Sequence, residues 1–95
     1  MQKVILLHLM KLKRSMLLTK NSEKDLTKLP KVEKKKVFKK LKAIESNPLS
    51  GKPLAGELKT FYSVRAWPYR IVYEFNKKDN IIIVHKIQHR QGVYK

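Results

Sequence analysis

The chain contains no cysteine, and its 95 residues include only three glycines and seven acids. The lack of cysteine excludes a disulfide scaffold, a thiolate nucleophile and every zinc ribbon or finger. The glycines do not group into a phosphate-cradling loop, and the acids are too scattered for a paired-carboxylate site. No Ser-His-Asp arrangement is visible either. Long apolar runs are also missing. Residues 4–10 (VILLHLM) form a run of seven, far below the ~20 residues that span a bilayer. Lys11, Lys13 and Arg14 follow at once, without the small-residue cleavage site of a secretory signal. A cytoplasmic protein with no membrane partner is expected.

Positive charge is what the chain has in excess. Its 23 Lys and Arg against seven Asp and Glu give a net charge of +16. Such a balance points to a polyanionic partner, a nucleic acid, an anionic membrane surface or an acidic protein, rather than to an ordinary neutral metabolic enzyme. With 42% hydrophobic residues, a chain of this length suffices for one small core, burying ~60–65% of its unfolded surface.

Residues 14–95 read as a single domain. Residues 1–13 either lengthen its first strand, form a separate arm, or precede a true start at Met10 or Met16. Residues 16–19 (MLLT) suit a strand. Asn21 or Ser22 is expected to cap a first helix, with Glu23 and Asp25 favoured by the positive end of its dipole. Leu26 and Leu29 make its apolar stripe, and Pro30 stops it. A second helix is expected over residues 32–46, with Val37, Phe38, Leu41 and Ile44 as one buried face. Seven lysines lie between Lys31 and Lys42, against Glu33 alone. Like charges at helical spacing repel, so this surface suits an acidic protein or a nucleic acid. Asn47-Pro48 ends the helix, and residues 48–56 (PLSGKPLAG) read as a loop. From Thr60 the apolar period becomes two. Residues 60–66, 69–75 and 81–87 read as strands joined by Trp67-Pro68 and by residues 76–80 (NKKDN). The expected class is α+β, two helices on one sheet in the order β-α-α-β-β-β.

If Trp67 and Pro68 are the two loop residues of their hairpin, Ala66 faces Tyr69, Arg65 faces Arg70 and Ser63 faces Val72. Alternation then places Tyr62, Val64, Tyr69, Ile71 and Tyr73 on the face that receives the helices. Arg65 and Arg70 fall side by side on the other. Like charges directly opposite each other destabilise a strand pair, and a sheet that keeps them has an anion to hold. Guanidinium groups are planar, permanently charged and bidentate toward phosphate. Farther along, His85 and His89 are ~13 Å apart on a strand, too far for one metal ion. His85 is expected to be packed or hydrogen-bonded, and His89, at the strand end, to be within reach of a substrate. With so few acids, chemistry would run on Arg, Lys, His and Tyr. That set suits cleavage of RNA through its own 2′-hydroxyl, since the substrate brings the nucleophile, cations stabilise charge on phosphorus, and a His or Tyr moves protons.

Residues 17–30 (LLTKNSEKDLTKLP), Asn47-Pro48, residues 69–75 (YRIVYEF) and residues 87–94 (IQHRQGVY) together resemble the RelE/ParE toxin superfamily of toxin–antitoxin pairs. The resemblance covers roughly residues 14–95. It implies two N-terminal helices packed on one face of a small curved antiparallel sheet. It also implies one of two activities. RelE-type members are metal-independent endoribonucleases that cut messenger RNA in the ribosomal A site, whereas ParE-type members inhibit DNA gyrase. Under the RelE pattern, Arg65 stands at a basic position and Arg70 matches the arginine of the Tyr-Arg-x-x-Tyr block. His89 and Tyr94 match the His-Arg-x-x-Val-Tyr ending. These four are the expected catalytic residues, the arginines holding the scissile phosphate and His89 and Tyr94 moving protons.

Lys35, Lys39, Lys42, Lys52, Lys59, Lys86, Arg90 and Lys95 are the expected RNA and ribosome contacts. No cofactor is implied, and the protein partner would be an acidic antitoxin. Two residues depart from the pattern. Ser63 stands where the best-known RelE type has a lysine, and Trp67-Pro68 replaces a turn that usually contains glycine. The expected function is a ribosome-dependent messenger-RNA endonuclease toxin. A gyrase-directed toxin or a non-catalytic basic RNA-binding domain are the alternatives.

Overall fold

In the computed structural model, residues 15–54 and 60–89 are described. The expectations for residues 1–13, the end of the 48–56 loop, Lys59, Arg90, Tyr94 and Lys95 fall outside them. Strand β1 (Ser15–Leu18) turns Met16 and Leu18 inward and leads directly into helix α1 (Lys20–Lys28). The cap of α1 is Thr19, not Asn21 or Ser22. Thr19 is still extended as it leaves β1, and its N–H donates to the Val84 carbonyl at 3.1 Å. Its hydroxyl oxygen is thereby placed to accept from the Ser22 N–H at 3.2 Å. Ser22 is fully buried one turn in, donating its own hydroxyl back to the Thr19 carbonyl.

Pro30 both ends α1 and starts helix α2 (Lys31–Ser46), its fixed φ of −61° suiting the residue before a first turn. Val37, Leu41 and Ile44 of α2 are buried as expected, but Phe38 is 53% exposed. The helix rests on a narrow support, chiefly the third strand and the turn that follows the helix. Phe38, ~100° around the axis from Val37, falls outside that contact. Val32 is exposed as well.

Residues 48–54 are not plain loop. Pro48–Ser50 form a 3-10 turn, with Asn47 Oδ1 accepting from the Leu49 N–H, and Lys52–Pro53 form a short edge strand, β2. Strands β3 (Phe61–Ala66), β4 (Tyr69–Asn76) and β5 (Ile81–His89) complete a five-stranded sheet in the order β1-β5-β4-β3-β2. The expected antiparallel sheet is in fact mixed, because β1 pairs in parallel with β5, Ser15 opposite Ile81 and Leu18 opposite Val84. Residues 81–84 (IIIV) are apolar on both parities, a pattern typical of parallel strands with neighbours on both sides. The core lies between sheet and helices, with Tyr73, Ile71, Ile82, Val84, Met16, Val37 and Ile44 at its centre.

Beyond Val84, β5 loses β1 as a neighbour, and α1 replaces it. The pairing with β4 slips between Val72 and Tyr73, leaving His85 as an extra residue on β5. The Thr19 hydroxyl covers the His85 carbonyl at 3.2 Å, and Asp25 Oδ2 accepts from the Ile87 N–H at 3.1 Å. Asp25 is therefore a sheet-edge partner rather than a first-turn charge. Asp25→Ala is expected to strand the Ile87 amide and cost about 1–2 kcal/mol, read as a melting point lower by roughly 4–16 °C. An unchanged melting point would show that water serves this amide equally well.

Candidate functional site

The hairpin register is the one a two-residue Trp67-Pro68 turn requires: Ala66 opposite Tyr69, Arg65 opposite Arg70, Ser63 opposite Val72. Tyr62, Val64, Tyr69, Ile71 and Tyr73 belong to the helix-bearing side and contribute to or pack against the core. Arg65 and Arg70 project from the open side as a directly facing pair, with Cβ atoms at such positions ~5 Å apart. Arg65 is exposed and Arg70 half-buried. Among the described residues no carboxylate pairs with either guanidinium. The carboxylate on this face, Glu74, lies 3.0 Å from His85 Nε2. His85 also stacks on Phe61, with centroids 4.9 Å apart. It is thus a packed, hydrogen-bonded residue, as the strand spacing implies.

Edge strand β2 walls one side of the arginine pair. Lys52 is opposite Ser63, which puts it on the arginine-bearing face. Just before it, at Pro48 and Gly51, the chain is fastened to the core by Tyr73. This side chain is fully buried, donates its hydroxyl to the Pro48 carbonyl at 2.6 Å and accepts from the Gly51 N–H at 3.1 Å. Burial pushes the Tyr73 hydroxyl above its usual pKa, an effect the Gly51 bond partly offsets. The result is a cleft of about 480 Å³ lined by Gly51, Lys52, Ser63, Arg65, Trp67 and Arg70, among others. Its cationic lining suits a phosphate or another small anion.

The other expected site residues are distributed unevenly around this cleft. Lys86 is opposite Val72, and Gln88 is opposite Arg70, so both extend the arginine-bearing face across β5. His89 is opposite Tyr69 and meets its ring edge-on at 5.2 Å. Its side chain therefore belongs to the opposite face from the arginines, at the sheet's end. Lys35, Lys39 and Lys42 are exposed on α2, turned away from the core that Val37, Leu41 and Ile44 share with the sheet. They form a second basic surface, and their neighbour Lys36 reaches the carbonyl of Trp67 at 3.5 Å. Sequence reasoning missed the cleft wall, which rests on Tyr73 and Gly51. A faint signal was available: glycine two positions before Pro53, and a tyrosine between Ile71 and Phe75 on the strand face that packs in the core. Among the described residues, no three His, Asp or Glu side chains gather where they could hold a metal ion.

Residues 16–94 match a family model described as the ParE toxin of the type II toxin–antitoxin system parDE. Among solved structures, the chain is similar to one from the toxin–antitoxin complex RelBE2 of Mycobacterium tuberculosis. The identity is 28% and the TM-score 0.72, over 81% of this chain and 98% of that one. It is also similar to a chain of the archaeal RelE–RelB complex from Pyrococcus horikoshii, at 25% identity and TM-score 0.68, over 81% and 94% of the two chains. A third likeness is to the YoeB dimer of Staphylococcus aureus, at 25% identity and TM-score 0.66, over 80% and 95%. No curated protein matches. Among the described residues, no helix is long and apolar enough to cross a membrane.

Proposed function

The chain belongs to the ParE toxin family of type II toxin–antitoxin systems, and from that premise we propose that it arrests growth by cutting messenger RNA on the ribosome. The observation that carries this reading is the Arg65–Arg70 pair, set without a carboxylate partner among the described residues in a cleft that Lys52 helps to line. In the proposed reaction the RNA 2′-oxygen bonds to the adjacent phosphorus, the bond from phosphorus to the 5′-oxygen breaks, and a proton passes from the first oxygen to the second. Negative charge grows on the phosphoryl oxygens in between. Guanidinium groups fixed there lower the barrier without having to reorganise. The high pKa of arginine suits it to charge stabilisation rather than to proton transfer. His89 and Tyr94 are the proton-transfer candidates. The side-chain parity of His89 favours Tyr94, with Arg90 supporting. Lys86 and the remaining lysines supply sequence-independent contacts to phosphate.

Inducible expression tests the reading. Codon-positioned cuts in translated messages are expected on growth arrest, and intact messages in arrested cells would overturn it. A second reading, inhibition of DNA gyrase without catalysis, is favoured by the match to the ParE model. It predicts gyrase-linked DNA breaks in the same cells, with messages intact.

A protein partner is part of the proposal, since similar chains come from toxin–antitoxin and RelE–RelB complexes. For a chain of net charge +16, the fitting partner is an acidic segment, disordered alone and helical when bound. Its association should be electrostatically steered, falling about tenfold or more between low and high salt. Stopped-flow association rates indifferent to salt would argue against steering.

A further inference from the structure

Trp67 stands in the β3–β4 turn, 57% exposed, and lines the same cleft as Arg65 and Arg70. It is the single tryptophan of the chain. Here the largest apolar ring the chain possesses is held at the rim of a cationic cleft and not in the core. The two guanidinium groups attract phosphate and do nothing to distinguish a base. An indole does the reverse, since every base offers a flat π-face to stack on. A cleft of about 480 Å³ lies in the range that holds one small ligand. An acidic peptide would satisfy the arginines and leave the indole facing side chains of no fixed shape. A nucleotide satisfies both.

We propose that Trp67 is a base-stacking platform: the nucleobase beside a phosphate held by Arg65 and Arg70 lies flat on its indole. The proposal deepens the preceding reading and rests on it for RNA as the ligand. It makes Trp67 a positioning residue, orienting the strand so that one phosphate is presented to the arginines. The Trp67-Pro68 pair thereby acquires a role beyond closing the hairpin.

The test uses the full chain in the absence of ribosomes, with two probes of equal length: a 2′-O-methyl oligoadenylate, which cannot cleave itself, and the corresponding abasic phosphodiester. Because the chain has one tryptophan, its fluorescence reports on this position alone. Saturable quenching by the oligoadenylate and little by the abasic strand is expected. Trp67→Ala should weaken oligoadenylate binding roughly 10- to 100-fold, measured by anisotropy of a labelled strand, and leave abasic binding unchanged. Trp67→Phe, which keeps a ring, should restore most of the loss. Equal quenching by both strands would overturn the platform, as would equal binding of oligoadenylate by Trp67→Ala. Equal loss of both strands in Trp67→Ala would also overturn it, by showing a distorted hairpin. If Trp67→Ala loses binding of an acidic antitoxin peptide and keeps the oligoadenylate, the ring serves a protein and the proposal falls. These outcomes are distinct from failure of the nuclease reading, which is judged by intact messages in arrested cells.

Discussion

Arg70→Ala is expected to fold normally and to lose the capacity to arrest growth. Arg70 projects from the sheet face opposite the core and bonds to no carboxylate among the described residues. Substitutions at such positions typically shift stability by no more than about 0.5 kcal/mol. Removing it also relieves the cross-strand repulsion with Arg65, a small favourable change of some tenths, about 0.2–0.5 kcal/mol. The proposed cleavage step should suffer far more. A fixed donor aimed at developing charge is worth ~10²–10³ in rate, enough to turn an arrested culture into a growing one. The comparison needs a thermal melt and a growth curve on the same variant. A folded Arg70→Ala protein that still arrests growth would remove this arginine from the mechanism. Arg65→Ala should behave alike.

The largest structural effect is expected at Gly51. A Cβ built there would stand 2.6 Å from the Tyr73 hydroxyl and 3.0 Å from the Ser63 carbonyl oxygen. Neither neighbour yields easily. Ser63 is sheet backbone, and Tyr73 is fully buried with its ring stacked on Tyr62, centroids 5.5 Å apart. Gly51→Ala must therefore push the β2 wall outward and break the Gly51 to Tyr73 bond. Overpacking together with a lost buried hydrogen bond costs about 2–3 kcal/mol, or roughly 8–24 °C in melting point. Tyr73→Phe alone strands the Gly51 N–H and the Pro48 carbonyl, at about 1–3 kcal/mol. In the double variant the missing hydroxyl vacates the space the new methyl needs. The two losses should therefore sum to less than their separate values by ~1 kcal/mol. Strict additivity would show that the methyl is accommodated some other way.

These two sites differ in how readable they were. Arg65 and Arg70 could be paired in advance because a two-residue turn fixes strand register, and register fixes which side chains share a face. The helices and the three meander strands were legible for a similar reason, since period and breakers such as Pro30 and Asn47-Pro48 are local. What escaped depends on partners far off in sequence. Thr19 caps α1 because the parallel ladder with Val84 holds it extended, and nothing near Asn21 or Ser22 reveals that. Asp25 looked like a first-turn charge and serves an amide 62 residues away. Phe38 fits the helical stripe on a wheel but lies outside the contact area that β3 offers. The β2 wall was hidden in a segment rich in proline and glycine, where two residues of strand leave no periodicity to detect.

The parallel pairing of β1 with β5 also sets the order of events at the ribosome that makes this chain. Among the described residues, 15–18 find their sheet neighbour only in residues 81–84, and the core around Met16 and Leu18 is completed only when Ile82 and Val84 join it. Closing so long a loop is entropically costly and is repaid only by contacts made at the end. The nascent chain therefore emerges with its helices and arginine hairpin already translated but with no completed sheet to hold them. Completion of the sheet, and with it the finished Arg65–Arg70 cleft, waits until strand β5 has emerged. Until that strand emerges the cationic cleft lacks its finished support, so an acidic partner already present would meet the two arginines as they come together.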